Sequence, residues 1–345
     1  MKVLHVNTYD ISGGAAKAVN RLHKVLGKIG VDSYMLVQKK QTDDEKIYPL
    51  KANVVLKGVN SLRTKLDFLP KLPYRNREDI TWSVNWLCNP LFFYYVKKIK
   101  PDIINLHWIN NGFISVKQLN KLEKLKIPVV WTLHDMWSFT GGCHYPGNCK
   151  KYQSHCGHCP QLNSSNSKDL SYRMFAQKLK HYPNINVVAT SEWMRENAQE
   201  SQLFRESKNY LIPIGLDADI FKSRDKIECR KGFSLPLDKK IILFGAVEVN
   251  DERKGLKYLV NAFNKMEESN YAIAIFGNSQ TKIKLPFETY YLGRIDGEEK
   301  MSKLYNAADV FVGPSIEEAF GQTFLEAIAC GIPAVAFDYG GPKDI

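Results

Sequence analysis

The 345-residue chain has no long apolar run. Its most hydrophobic stretch, Trp86 to Val96 (WLCNPLFFYYV), contains Asn89 and Pro90 and is about half the ~20 residues that span a bilayer, so no transmembrane segment is expected. The start, MKVLHVNTYD, lacks the apolar core and cleavage site of a signal peptide, which predicts a cytoplasmic protein. No tract of Pro, Gly, Ser or Gln and no repeat of solenoid period stands out, and 44% hydrophobic with 24% charged residues is ordinary globular usage; wholesale disorder is excluded. Seven cysteines are an odd count without an export signal, so free thiols or metal ligands are expected rather than a disulfide framework. Acidic residues are in deficit, 36 Asp and Glu against 48 Lys and Arg for a net +12. That balance favours phosphates, nucleic acid or anionic lipid as partners without choosing among them.

The length suits two domains with separate cores, and the pattern agrees. KVLHVN reads as a buried strand. SGGAAK follows, then apolar residues at Ala15, Ala18, Val19, Leu22, Val25, Leu26 and Ile29 with helical spacing, then a second strand at 33–37; this is a βαβ unit of a parallel sheet. Strand-length runs recur at 101–108, 128–133 and 186–190, and a second series begins at 240–247 and continues at 271–276, 290–292, 309–313 and 334–337. A helix bearing Leu256, Leu259, Val260, Phe263 and Met266 on one face lies within the second series. Pro213 and Gly215 punctuate the stretch between the series. The expectation is an α/β protein of two Rossmann-like doubly wound domains, 1–212 and 213–345, facing a central cleft where the strand ends bind ligand.

Residues 51–100 carry ten Lys and Arg against three acids, interleaved with Phe68, Trp82, Trp86, Phe92, Phe93, Tyr94 and Tyr95. Two readings stand: a peripheral contact with an anionic membrane, which such a mixture suits, or a solvated basic face over ordinary core aromatics.

The most informative segment is GPSIEEAFGQTFLEAIACGIP, residues 313–333. Glu318 sits in a loop after a strand and Glu326 in the helix that starts just past Gly321, so two carboxylates project from one strand end. Each can accept two hydrogen bonds from a vicinal diol. Gly321 lets a ligand approach the backbone, and the N–H groups of Gln322 and Thr323 at the helix head suit an anion. A diphosphate held between two diols fits this pattern; the plain alternative is an acidic loop capping a helix. Arg253-Lys254-Gly255 opens another helix, where two cations are unfavourable unless an anion sits between them.

These segments, with LGRIDGEEKMSKLYNAADVFVGPS, ACGIPAVAFDYGGPKDI and LIPIGLDADIF, resemble the retaining glycosyltransferases of family 4, which have the GT-B fold and use sugar nucleotides. The likeness extends over nearly the whole chain. It implies an N-terminal acceptor-side domain, a C-terminal nucleotide-sugar domain, and a hexosyltransferase of polysaccharide biosynthesis such as capsule, exopolysaccharide or lipopolysaccharide assembly. Glu318 matches the residue that contacts donor-sugar hydroxyls, and Glu326 the one that holds the ribose. Gly13 and Gly14 occupy the glycine loop that approaches the diphosphate. Gly277, Ile295, Phe320, Gly321, Gln322 and Thr323 fall at donor-binding positions. Arg253 and Lys254 take the cationic role; this chain has Ala246 after Gly245, where most of the family has Arg. His134 matches a position near donor sugar and acceptor, and His107 is a second strand-end histidine.

Transfer in this family stabilises the departing diphosphate with cations and a helix N-terminus, so no metal cofactor is expected at the diphosphate, and Glu318 and Glu326 are not a glycosidase acid–base pair. Cys143, Cys149, Cys156 and Cys159, with His144, His155 and His158 interleaved, read either as a structural zinc site closed by four thiolates or as four packed thiols. Expected partners are a nucleotide-sugar donor and a glycan or lipid-linked acceptor, the protein working in the cytoplasm at the inner membrane face; no nucleic-acid partner is expected. Rival readings are a sugar-nucleotide 2-epimerase and a non-catalytic nucleotide-sugar or partner-binding protein of the same fold. The chain stops at Ile345, where the resembling family continues, so the second domain is expected to be incomplete and activity of these residues alone is an open point.

Overall fold

The computed structural model describes residues 1–50, 62–78, 80–266, 270–278 and 285–345. They form two compact units, Met1–Pro213 and Ile214–Ile345. In the first, strands β1 (Lys2–Tyr9), β2 (Asp32–Lys39), β3 (Ile47–Pro49), β4 (Ile103–Leu106), β5 (Val129–Leu133), β6 (Asn186–Ala189) and β7 (Asn209–Leu211) make one sheet in the order β3-β2-β1-β4-β5-β6-β7. Every pairing is parallel. Parallel neighbours require crossovers, supplied by helices such as α1 (Gly14–Lys28), α2 (Phe92–Ile99), α3 (Val116–Leu119), α4 (Leu170–His181) and α5 (Glu192–Glu200). The strand order reverses at β1, whose neighbours are β2 and β4. A crevice opens outside the carboxyl ends of strands at such a switch point.

The second unit repeats the principle with β8 (Lys240–Glu248), β9 (Tyr271–Asn278), β10 (Glu288–Gly293), β11 (Val310–Gly313) and β12 (Ala334–Ala336), ordered β10-β9-β8-β11-β12 and all parallel. Its helices are α6 (Lys226–Gly232), α7 (Leu256–Phe263), α8 (Glu298–Ala307) and α9 (Gln322–Ala329). Alternate residues of the central strands enter opposite cores. Ile241, Leu243, Ala272 and Ala274 pack with Leu304, Tyr305 and Phe311, whereas Ile242, Phe244, Ile273 and Ile275 pack with Leu256, Leu259 and Phe263. Burial on both faces is why these strands read as continuous apolar runs. The switch point here lies between β8 and β11, so the segments leaving those two strands meet.

The structure adds two features to the sequence reading. The three-residue edge strands β3 and β7 were not foreseen, being too short to show a period. In α1 the face turned inward carries Ala16, Ala18, Val19, Asn20, Arg21 and His23, while Leu22, Val25 and Ile29 are exposed. The reason is polar pairing: His23 Nδ1 is 2.8 Å from Ser33 Oγ on β2, and its Nε2 is 3.4 Å from Asp44. Those bonds turn toward the sheet a face that apolar spacing alone would leave outside.

Candidate active site

At the C-terminal switch point β8 runs into a 3-10 turn, Glu252–Lys254, capped by the Asp251 carboxylate, which accepts from Arg253 N at 3.0 Å. Gly255 ends the turn with φ +73°, and a Cβ there would lie 1.8 Å from the Pro314 carbonyl oxygen. Only glycine permits that approach. It brings the turn against the loop after β11, where Ile316 N donates to Arg253 O at 2.9 Å. The Lys254 ammonium binds Glu318 Oε2, and Arg253 Nη1 stands 3.7 Å from the same oxygen while donating to Glu317 O at 2.8 Å. The anion that the cationic pair requires is thus the Glu318 carboxylate. Burial pushes the Glu318 pKa up, but Lys254 and Arg253 outweigh it and hold the carboxyl below its ordinary range. From the other side Gly341 N donates to Glu318 O at 2.8 Å.

Three residues further, Gly321 caps α9 with φ +102°. Phe324 N turns back to Gly321 O at 2.9 Å, and Gln322 and Thr323 stand half-buried at the helix head. Glu326, one turn on, is buried, and Tyr305 Oη of α8 donates to its Oε2 at 3.0 Å. The sequence reading missed Tyr305; its place in LYNAAD gives no signal beyond an aromatic on a helix face. Phe320 is buried, and Ile295 belongs to the core cluster under the sheet, so neither offers its side chain as an open contact surface. Gly277 has φ +113°, and a Cβ there would lie 1.7 Å from Ala246 O. It is required for the approach of β9 to β8.

In the N-terminal unit Gly13 caps α1 with φ +90° and open space where a Cβ would stand. Gly13 and Gly14 are exposed just beyond β1. His107 and His134 follow β4 and β5, and they are joined: His107 Nδ1 is 3.0 Å from His134 Nε2. Burial drives the His134 pKa down to about 4, with the Asp135 charge opposing. A small pocket is lined by His134, Asp135, Trp108, Asn110 and Trp137 among others. Asp135 was not foreseen, although it directly follows His134. Its Oδ2 accepts from Trp108 Nε1 at 2.9 Å and lies 2.6 Å from His144 Nδ1, and His144 Nε2 is 2.8 Å from Ser83 Oγ. In this serine–histidine–carboxylate row Ser83 and His144 are buried, and neither lines the pocket. It braces the loop after β5 and offers no nucleophile. Lys178 of α4 is buried too, donating to Thr140 O at 2.9 Å and to Trp137 O, with Nζ 3.8 Å from the Trp137 ring centroid.

Cys143, Cys149, Cys156 and Cys159 are free thiols. Among the described residues no group of three or more His, Cys, Asp or Glu is arranged to hold a metal ion. Burial pushes the Cys156 thiol up to about 12 and the Cys143 thiol well above its ordinary value. The basic aromatic window divides. Arg63 and Lys71 are internal anchors, bonded to Gly112 O at 2.8 Å and Trp82 O at 2.5 Å, and Trp82 and Phe92 are core. Phe68, Trp86, Tyr94, Lys97, Lys98 and Lys100 are exposed. Lys51, Lys57 and Asp79 lie outside the described residues. Among the described residues no helix is long and apolar enough to cross a membrane.

Comparison with known proteins places these features. Residues 12–220 match the family model Glycosyltransferase Family 4, and residues 225–345 match Glycosyl transferases group 1. An uncharacterized glycosyltransferase of Methanocaldococcus jannaschii is 30% identical over 273 residues, 72% of this chain and 68% of that protein. WcaC of Escherichia coli, a glycosyl transferase assigned to colanic acid biosynthesis, is 25% identical over 233 residues, 65% of this chain and 51% of WcaC. Among solved structures, Anabaena HepE in complex with UDP-glucose superposes with a TM-score of 0.61 at 16% identity, covering 99% of this chain and 82% of HepE. The two parallel-sheet units are those of a GT-B glycosyltransferase.

Proposed function

Because the chain belongs to glycosyltransferase family 4, we propose that it moves a hexose-type sugar, with retention, from a nucleoside diphosphate sugar to a glycan or lipid-linked acceptor in cell-surface polysaccharide synthesis. The observation that carries the reading is the placement of Glu318 against Lys254 and Arg253 at the β8/β11 switch point, four residues before the head of α9. As the bond from sugar to diphosphate breaks, negative charge accumulates on the leaving group. In this reading Lys254, Arg253 and the amides at the head of α9 stabilise it. Glu318, oriented by Lys254, accepts from sugar hydroxyls; Glu326, oriented by Tyr305, accepts from ribose hydroxyls. The acceptor hydroxyl attacks from the face the diphosphate leaves, and a phosphate oxygen takes its proton, so the step asks for no protein nucleophile and no metal at the diphosphate.

The name of WcaC supports a polysaccharide product, and the UDP-glucose bound to HepE supports a sugar-nucleotide donor. The exposed lysines and Tyr94 of α2 and the residue after it, with Trp86 and Phe68, support a peripheral contact with anionic lipid at the inner membrane face. Failure to sediment with anionic vesicles at low salt removes that part.

The test is a thermal-shift titration with UDP, GDP and ADP on the wild-type chain and on Glu326→Ala. A nucleotide at a hundredfold over its Kd stabilises by about 2.7 kcal/mol, and the variant is expected to lose the shift. Absence of any shift in the wild-type chain overturns the donor site. Product analysis without acceptor then separates transfer from 2-epimerisation, since only the epimerase converts the donor alone.

A further inference from the structure

Three histidines of the N-terminal unit form one row across three adjacent strand positions. His5 lies in β1, and His107 and His134 follow β4 and β5. His5 Nδ1 is 3.1 Å from His107 Nε2, and His107 Nδ1 is 3.0 Å from His134 Nε2. Successive ring centroids are 5.3 Å apart. His5 and His107 are buried and His134, the outer end, is half-buried; His107 and His134 both line the pocket.

A hydrogen bond between two imidazoles needs one N–H and one lone pair. A row of three neutral rings therefore has only two arrangements, every proton on Nδ1 or every proton on Nε2, and the tautomer of the pocket ring is tied to that of the innermost one. Two observations choose between them. The inner end, His5 Nε2, is buried with no hydrogen-bond partner; a proton there would make an orphaned buried N–H, the rarer kind of defect. At the outer end the Asp135 carboxylate acts on His134 in the sense that favours positive charge on its ring. With protons on Nδ1 every N–H dipole points from His5 toward His134, the end of the row on which the Asp135 charge acts.

We infer that His5 and His107 are positioning residues that hold His134 as its Nδ1–H tautomer, so that His134 offers an N–H donor to an acceptor oxygen of the bound ligand, a sugar hydroxyl or a phosphate, and does not serve as a general base. The ligand class rests on the function proposed above; the tautomer does not. The arrangement opposes the ordinary preference of an unpaired neutral imidazole for a proton on Nε2, which makes it detectable.

The experiment is two-bond nitrogen–proton correlation NMR of the full chain labelled with nitrogen-15 in histidine, without ligand, at a pH above 7. His134 is expected with a protonated Nδ1 and a bare Nε2. In His107→Phe, which removes the donor to His134 Nε2, the His134 signals are expected to revert to the Nε2–H pattern. An Nε2–H pattern in the wild-type protein overturns the inference, and that spectrum decides even if the variant does not fold. His134 remaining Nδ1–H in a folded His107→Phe protein also overturns it, because the row would then not be the cause. A nucleotide titration of the same wild-type sample separates the two proposals: no nucleotide binding together with an Nδ1–H His134 removes the ligand reading and keeps the tautomer.

Discussion

The phenol of Tyr305 donates to Oε2 of Glu326 across 3.0 Å inside the C-terminal unit, on a carboxylate only 6% exposed. A hydrogen bond to a buried charged group is worth about 1.5–3 kcal/mol, and here it also sets the direction of a carboxylate assigned to the ribose. Tyr305→Phe keeps the ring, which packs edge-on to Phe276 and Phe311, and removes only the donor. Chemical denaturation is expected to show a loss within that range, and calorimetry a several-fold weaker nucleotide affinity. Unchanged affinity in a folded variant would mean that Tyr305 does not orient the site.

Lys254 is expected to matter to rate more than to folding. It is the cation bonded to Glu318, with Arg253 held partly by Asp251 and the Glu317 carbonyl. Removing a group that stabilises developing charge costs ~10²–10³-fold in kcat. Lys254→Met is expected to lose activity in that range under saturating donor. A change confined to KM would show that Lys254 binds the ground state only.

Much of the scaffold was legible because both sheets are parallel and buried on two faces, so that β1, β5, β8 and β9 stand out as apolar runs between helical segments. Glu318 and Glu326 were legible because glycine and a change of period mark the strand, loop and helix that carry them. Arg253 and Lys254 were legible as cations in search of an anion, but that Glu318 is the anion depends on contact between segments sixty-four residues apart. Spacing cannot show such contacts. Asp135, Tyr305 and the row from His5 to His134 were hidden for the same reason, each being a pairing across strands or helices. The exposed flank of α1 went unread because His23 bonds to Ser33, which a hydrophobic pattern does not register.

Gly255 and Gly13 both have positive φ, +73° and +90°, but only Gly255 is crowded: a Cβ there would lie 1.8 Å from Pro314 O, whereas at Gly13 it would meet open space. Backbone strain of this kind costs about 1–3 kcal/mol by itself. Gly13→Ala is expected to lose no more than that. Gly255→Ala has to push the Lys254 turn off the β11 loop as well, so its melting temperature should fall further and its transfer activity should fall with it. Equal losses in the two variants would remove the argument that Gly255 holds Lys254 against Glu318.

Acid should unfold the N-terminal unit in a window set by its buried histidines. Burial lowers the His5 pKa from 6.5 to about 3 and that of His134 to about 4, and His107 is lowered as well by burial and its two neighbours. Between those folded values and 6.5 the unfolded chain binds protons that the folded one refuses, so stability is full above about pH 6.5, falls as pH drops, and levels only below the folded values. A fully buried histidine contributes about 1.4 kcal/mol per pH unit inside its window. The depressed Glu318 carboxyl of the other unit acts in the same direction at lower pH, losing its contribution as pH falls through its folded value. Urea midpoints taken from pH 7.5 down to pH 5 are therefore expected to fall steeply, and His5→Gln, which cannot titrate, to flatten the slope. A midpoint independent of pH over that range would mean that the row takes up protons without cost, and the three rings would then not be neutral and mutually bonded.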